Sequence, residues 1–203
     1  MEVVRLITKD REYRSFQDIN LQEDSKVVSG LAVVFNSPTV LYEIEGVEFK
    51  EVVSPHAFDG VDLSDVVLNI DHEGKPAAKT KNQTLRLEVR PEGLYMEADL
   101  SKNATGRELY EDIRNGFYDK MSYAYSVEAD EYNRETRTRT LKKVKRLYDV
   151  SAVTFPAYLQ TNLQARSFFE AEAEKEQKAM EIAEKRRRLS AQITEILEGK
   201  TNA

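Results

Sequence analysis

The chain has 203 residues, 40% hydrophobic and 33% charged, with no cysteine, two histidines and a net charge of −6. That length suits one well-buried domain plus an extension. The absence of cysteine removes disulfides, thiolate catalysis and cysteine zinc sites together. The acidic balance argues against a nucleic-acid partner, and no apolar run reaches the ~18 residues of a membrane span. Met1-Glu2-Val3-Val4-Arg5 lacks the basic-then-apolar layout of a signal peptide, so an intracellular setting is expected.

Residues 1–26 are mixed and leave room for one short strand. Lys26 to Phe35 is rich in valine, closes on the turn-forming Asn36-Ser37-Pro38 and reads as a strand, with Gly30 marking a bulge or a close approach. Phe49 to Val53 reads as another strand, stopped by Ser54-Pro55, and His56-Ala57-Phe58-Asp59-Gly60 as a helical turn or loop. Asp65 to His72 follows as a strand with Val66, Leu68, Ile70 and His72 on one face. Gly74 and Pro76 then take the chain out of regular structure, which leaves His72 at a strand-to-loop boundary, a common place for functional side chains. Thr84 to Val89 and Leu94 to Leu100 alternate on either side of Arg90-Pro91-Glu92-Gly93, a strong hairpin signal. Thr105-Gly106-Arg107-Glu108 fits a capping box, Leu109 and Ile113 share a helical face, and Gly116 suits the position after the helix.

This short helix feeds directly into Lys120-Met121-Ser122-Tyr123-Ala124-Tyr125-Ser126-Val127. Read with period two, Met121, Tyr123, Tyr125 and Val127 face one way, while Ser122, Ala124 and Ser126 face the other. A small face usually lies where another backbone or a ligand comes close: a sheet packed against a helix is one reading, a serine nucleophile facing a substrate cleft the other. An arginine-rich segment at 130–140 reads as a hairpin tip, and Leu147 to Thr154 as the last strand, with Asp149, Ser151 and Val153 on one face. From about Arg166 the composition turns to Glu, Lys, Arg, Gln and Ala, with a sparse apolar stripe that includes Ile182, Leu189 and Ile193. Eight acidic and eight basic residues cancel from Arg166 onward, so the net charge belongs to the part before it. The expected domains are 1–160, β-rich, and 161–203, a charged helical extension whose stripe suggests a partner helix.

A serine needs a base to become a nucleophile near neutral pH, and the base needs a third group to fix its tautomer. Ser122, His72 and Asp149 lie on three separate predicted strands that one sheet or barrel could bring together. Taken in order, Gly30-Leu31-Ala32-Val33-Val34-Phe35, Ser54-Pro55-His56-Ala57-Phe58, Asn69-Ile70-Asp71-His72-Glu73, Met121-Ser122-Tyr123-Ala124-Tyr125 and Asp149-Val150-Ser151-Ala152-Val153-Thr154-Phe155-Pro156-Ala157 resemble the prohead maturation proteases of tailed bacteriophages, relatives of the herpesvirus assemblin serine proteases.

The resemblance spans about residues 27–160. It implies an α+β, mainly β fold, an assemblin-like β-barrel or strongly curved sheet with peripheral helices and a long C-terminal helical extension. It makes Ser122 the nucleophile and His72 the general base. Family members usually have Asn-His-Asp around the histidine, where this chain has Asn69-Ile70-Asp71-His72-Glu73. The herpesvirus relatives complete the triad with a second histidine, but His56 sits where the phage family commonly has glycine. Asp149 is the orienting group by the match of its strand, with Asp71 and Glu73 as rivals by sequence distance.

The implied activity is that of a serine endopeptidase acting inside the procapsid, in the host cytoplasm. The implied partners are the major capsid protein with its scaffold segment and the enzyme itself, as an autocleaving oligomer. No cofactor, metal, nucleic acid or membrane is expected. Two other readings are a non-catalytic capsid-assembly or scaffolding protein, with a β binding module and an oligomerising helix, and an acyl hydrolase of other substrates.

Overall fold

The computed structural model describes residues 12–16, 19–22, 25–44, 46–154 and 162–201. In chain order they form β1 (Glu12–Phe16), β2 (Asn20–Gln22), β3 (Val27–Val34), β4 (Thr39–Ile44), β5 (Val47–Val53), β6 (Val67–Ile70), β7 (Glu73–Lys79), β8 (Leu85–Arg90) and β9 (Gly93–Asp99). Then come α1 (Ala104–Arg114), β10 (Lys120–Asn133), β11 (Thr138–Val153) and α2 (Asn162–Thr201). Among the described residues the protein is mainly β with two α-helices.

β10 and β11 form a long antiparallel hairpin, and register shifts between Ala124 and Asp130 mark bulges that bend it. β11 is the hub of a seven-stranded sheet. One edge takes β10 along its whole length, and the other pairs in parallel with β5 over Thr138–Leu141 and with β6 over Asp149–Ala152. β1 lies outside β10, β4 outside β5, and β7 outside β6. A second sheet runs β2-β3-β9-β8. Among the described residues neither sheet closes into a barrel.

Tyr123 and Tyr125, the bulky face of β10, are fully buried, with ring centroids 5.0 Å apart. They join Leu68, Leu94, Met96, Leu109, Leu141 and Leu147 in one continuous core. Within it Arg139 Nη1–H donates to Glu51 Oε2 (3.2 Å), Arg139 Nε–H donates to Asp130 Oδ2 (2.6 Å), and the Tyr125 hydroxyl donates to Glu51 Oε1 (3.3 Å). Arginine and carboxylate side chains, 7% and 2% exposed, thus tie β5, β10 and β11 together.

Several elements depart from the sequence expectations. The capping residue of α1 is Asn103, whose side-chain oxygen accepts from Gly106 N–H (2.6 Å), so Thr105 lies inside the helix. Gly106 answers to packing rather than capping, since a Cβ there would stand 2.6 Å from the Leu100 carbonyl oxygen. The bulge in β3 falls between Leu31 and Val33, while Gly30 pairs in register with Met96. β7 is a whole strand where Gly74 and Pro76 suggested a loop. Among the described residues it pairs only with β6, and an edge strand tolerates proline.

The chain divides into two compact units, Met1–Gln164 and Ala165–Ala203. The second is one helical stretch. Lys178 and Arg188 pair with Glu174 and Glu184 one turn back, and Ile182, Leu189 and Ile193 are exposed. Among the described residues no helix is long and apolar enough to cross a membrane.

Candidate active site

His72 is placed by a turn rather than by a strand. Ile70 and Glu73 face each other in the β6–β7 ladder, which leaves Asp71-His72 as a two-residue hairpin loop with φ of 48° and 62°. Positive φ at both positions is the requirement of the tightest hairpin turns, usually met by Asn-Gly; Asp and His are among the few side chains that enter this region readily. The turn is pinned from outside. Asp71 N–H donates to the Ala152 carbonyl (2.9 Å), and Asp71 Oδ1 accepts from Thr154 N–H (3.2 Å). Tyr118 lies nearby; burial first, then the Asp71 and Asp112 carboxylates, holds its phenol above the ordinary tyrosine range. Asp71 therefore fastens the turn to β11 and does not touch the imidazole through any of these bonds.

From this turn the His72 ring meets Asp149 and Ser122. His72 Nδ1 lies 2.5 Å from Asp149 Oδ1, and His72 Nε2 lies 2.8 Å from Ser122 Oγ. A carboxylate only accepts, so Nδ1 carries the proton and donates to Asp149. In the neutral imidazole Nε2 is then bare and accepts from the Ser122 hydroxyl. Register explains the convergence. Asp149 is opposite Ala124 on β10 and Val67 on β6, and Ser151 is opposite Ser122 and Asn69. Ser122, Asp149 and Ser151 thus share one face of neighbouring strands, and the hairpin end of β6 hangs the imidazole over them.

The three side chains expected from sequence are thus neighbours, in the order serine, histidine, aspartate. His56 is elsewhere: its side chain is 83% exposed and paired with Asp59 at 2.9 Å. Ser122 has no exposed surface, and β10 runs between β1 and β11 with Ser15 opposite Ser122, so the strand is interior to the sheet rather than at an edge. The His72 and Asp149 side chains are 15% and 6% exposed. Sequence reasoning weighed Asp71 only as a rival to Asp149 and gave Ser151 no role; Asp71 pins the turn, and the Ser151 hydroxyl donates to Asp149 Oδ1 (2.9 Å). Among the described residues no group of three or more His, Asp or Glu side chains could hold a metal ion.

A family model described as caudovirus prohead serine protease matches residues 13–176, most of the chain. The chain belongs to that family. This prohead serine protease is similar in structure to the capsid assembly protease gp21 of bacteriophage T4. The two are 11% identical, with a TM-score of 0.40 over 71% of this chain and 98% of the other. No curated protein sequence matches the chain.

Proposed function

We propose that this serine protease works through Ser122, His72 and Asp149 and cleaves capsid protein during procapsid maturation. The observation that carries the reading is the unbroken hydrogen-bonded run from Ser122 Oγ through the imidazole to Asp149. Ser122 Oγ attacks the scissile carbonyl carbon while His72 Nε2 takes its proton. The tetrahedral intermediate collapses as the imidazolium returns that proton to the leaving amine, which leaves an acyl-enzyme on Ser122. Water, deprotonated by the same nitrogen, hydrolyses the ester. Asp149 keeps the proton of the resting imidazole on Nδ1 and stabilises the imidazolium that forms in each step.

The substrate reading follows the family and the name of the T4 protein: the capsid protein with its scaffold segment, and the enzyme itself, inside the procapsid. The fold reading carried with it is an assemblin-like, strongly curved sheet, supported by the bulges of the β10–β11 hairpin.

Phosphonylation tests the nucleophile without a known cleavage site. Treatment of the full chain with a fluorophosphonate, followed by peptide mass spectrometry, is expected to place the adduct on Ser122. An adduct on another serine in the wild type would assign the nucleophile there.

A further inference from the structure

We infer that Ser151 is a positioning residue of the catalytic unit: its hydroxyl, donated to Asp149, sets the orientation and the effective charge of the carboxylate that holds His72. The inference rests on the triad reading above.

Ser151 is fully buried on β11, two residues beyond Asp149 and on the same face of the strand. Its Oγ lies 2.9 Å from Asp149 Oδ1, the oxygen that also receives His72 Nδ1–H. The carboxylate is acceptor-only, so the hydroxyl proton points at it. Ser151 has one such proton. Asn69 Oδ1, in register with Ser151 on β6, is buried without a hydrogen-bond partner. That proton goes to the carboxylate.

Two consequences follow. With two donors converging on Oδ1, the carboxylate cannot rotate without breaking both bonds, so the ring stays aligned with Ser122. The second donor also disperses charge on Asp149. Without it more negative charge faces the imidazole, the imidazolium is favoured, and His72 is lost as a base at a higher pH. Among the described residues, the other titratable or charged groups of this region include Asp71 and Glu73 beside His72 in the chain, Tyr118 near Asp71, Tyr148, whose hydroxyl lies 3.5 Å from Ser126 Oγ, and Lys79, in register with Val67 and paired with Asp65 at 2.7 Å. On β1, Tyr13 is in register with Ala124, next to Asp149; on β10 the residues of this face are Ser122, Ala124 and Ser126, all uncharged.

The test is the rate of Ser122 phosphonylation by a fluorophosphonate, measured from about pH 5 to about pH 9, where a histidine base titrates. Ser151→Ala is expected to lower the plateau rate about ten- to a hundredfold, as for loss of a hydrogen bond to a charged group, and to move the acid limb to higher pH. Ser151→Thr, which keeps the hydroxyl, is expected to restore the wild-type limb. Added to Asp149→Asn, the alanine change is expected to do nothing further, because Ser151 acts through that carboxylate. Ser151→Cys fills the site with a weak donor and is expected to reproduce the alanine shift should the alanine variant not fold.

A wild-type profile for Ser151→Ala, or a slower rate with an unmoved limb, overturns the inference. Ser122→Ala run alongside separates the two failures. If that variant is phosphonylated at the wild-type rate, the triad reading falls and the role of Ser151 with it. If it is inert while Ser151→Ala behaves as wild type, only the role of Ser151 falls.

Discussion

Asp149 is the residue on which the proposed chemistry turns most sharply, because it selects the tautomer of His72. Replacing it with asparagine nearly preserves shape but offers Nδ1 an amide that can donate, which favours the proton on Nε2 and blocks acceptance from Ser122. Asp149→Asn is expected to reduce turnover on the order of 10⁴-fold, with fold and thermal melting nearly unchanged, as read in peptide cleavage and circular dichroism. A loss below about tenfold would move the third role to another group. At this scale the sequence was readable where polar residues interrupt apolar strands, as Ser122 and Asp149 do. It gave Ser151 no role and set Asp71 as a rival for the place of Asp149. Serine in a strand is unremarkable, and the use of Asp71 depends on the turn that puts it against Thr154. The turn itself escaped because Asp-His does not carry the Asn-Gly signal of a two-residue hairpin, so His72 looked like the end of a strand.

The elements that hold the site meet at α1. Its capping residue, Asn103, accepts from Gly106 N–H and donates through Nδ2 to the Ala77 carbonyl (3.0 Å) on β7, the return strand of the His72 hairpin. The C-terminal end of the same helix passes through Gly116 into β10 and Ser122. One helix therefore links the strand beside the base to the strand of the nucleophile. Asn103→Ala is expected to cost about 1 kcal/mol for the lost cap, measured by urea denaturation. The larger structural dependence lies in β5, β10 and β11. Arg139→Ala leaves the Glu51 carboxylate buried without its cation and is expected to cost about 3–5 kcal/mol. A loss under about 1 kcal/mol would show that the pair is dispensable. Hairpins and the valine-rich β3 were legible from alternation and turn residues. β7 was not, since its charges, glycine and proline hide a short edge strand that depends on β6, and β4 went unread although Thr39–Ile44 carries one charge, Glu43, among apolar residues.

On the scale of the whole molecule, the composition changes near Arg166, and the second compact unit runs from Ala165. Among the described residues, the buried core cluster of the β-rich unit runs from Val28 to Ala152. A chain ending at Gln164 is therefore expected to keep the melting temperature of the full chain within a few degrees, the size of a change of about 1 kcal/mol. A drop of more than about 10 °C would make the helix part of the fold. Sequence conveyed the mainly β character and the helical tail, but not the sheet order. The parallel pairing of β11 with both β5 and β6 joins segments far apart in the chain, and no local pattern encodes it. The same non-local pairing brings Ser122, His72 and Asp149 together. The most direct test of that assembly is co-expression with the capsid protein of the same phage and mass spectrometry of the new termini. Wild-type enzyme is expected to trim the capsid protein to one defined N-terminus, while Ser122→Ala and His72→Ala each leave it intact, with losses on the order of 10⁶-fold. Capsid protein trimmed to the same terminus by the Ser122→Ala variant would contradict the account.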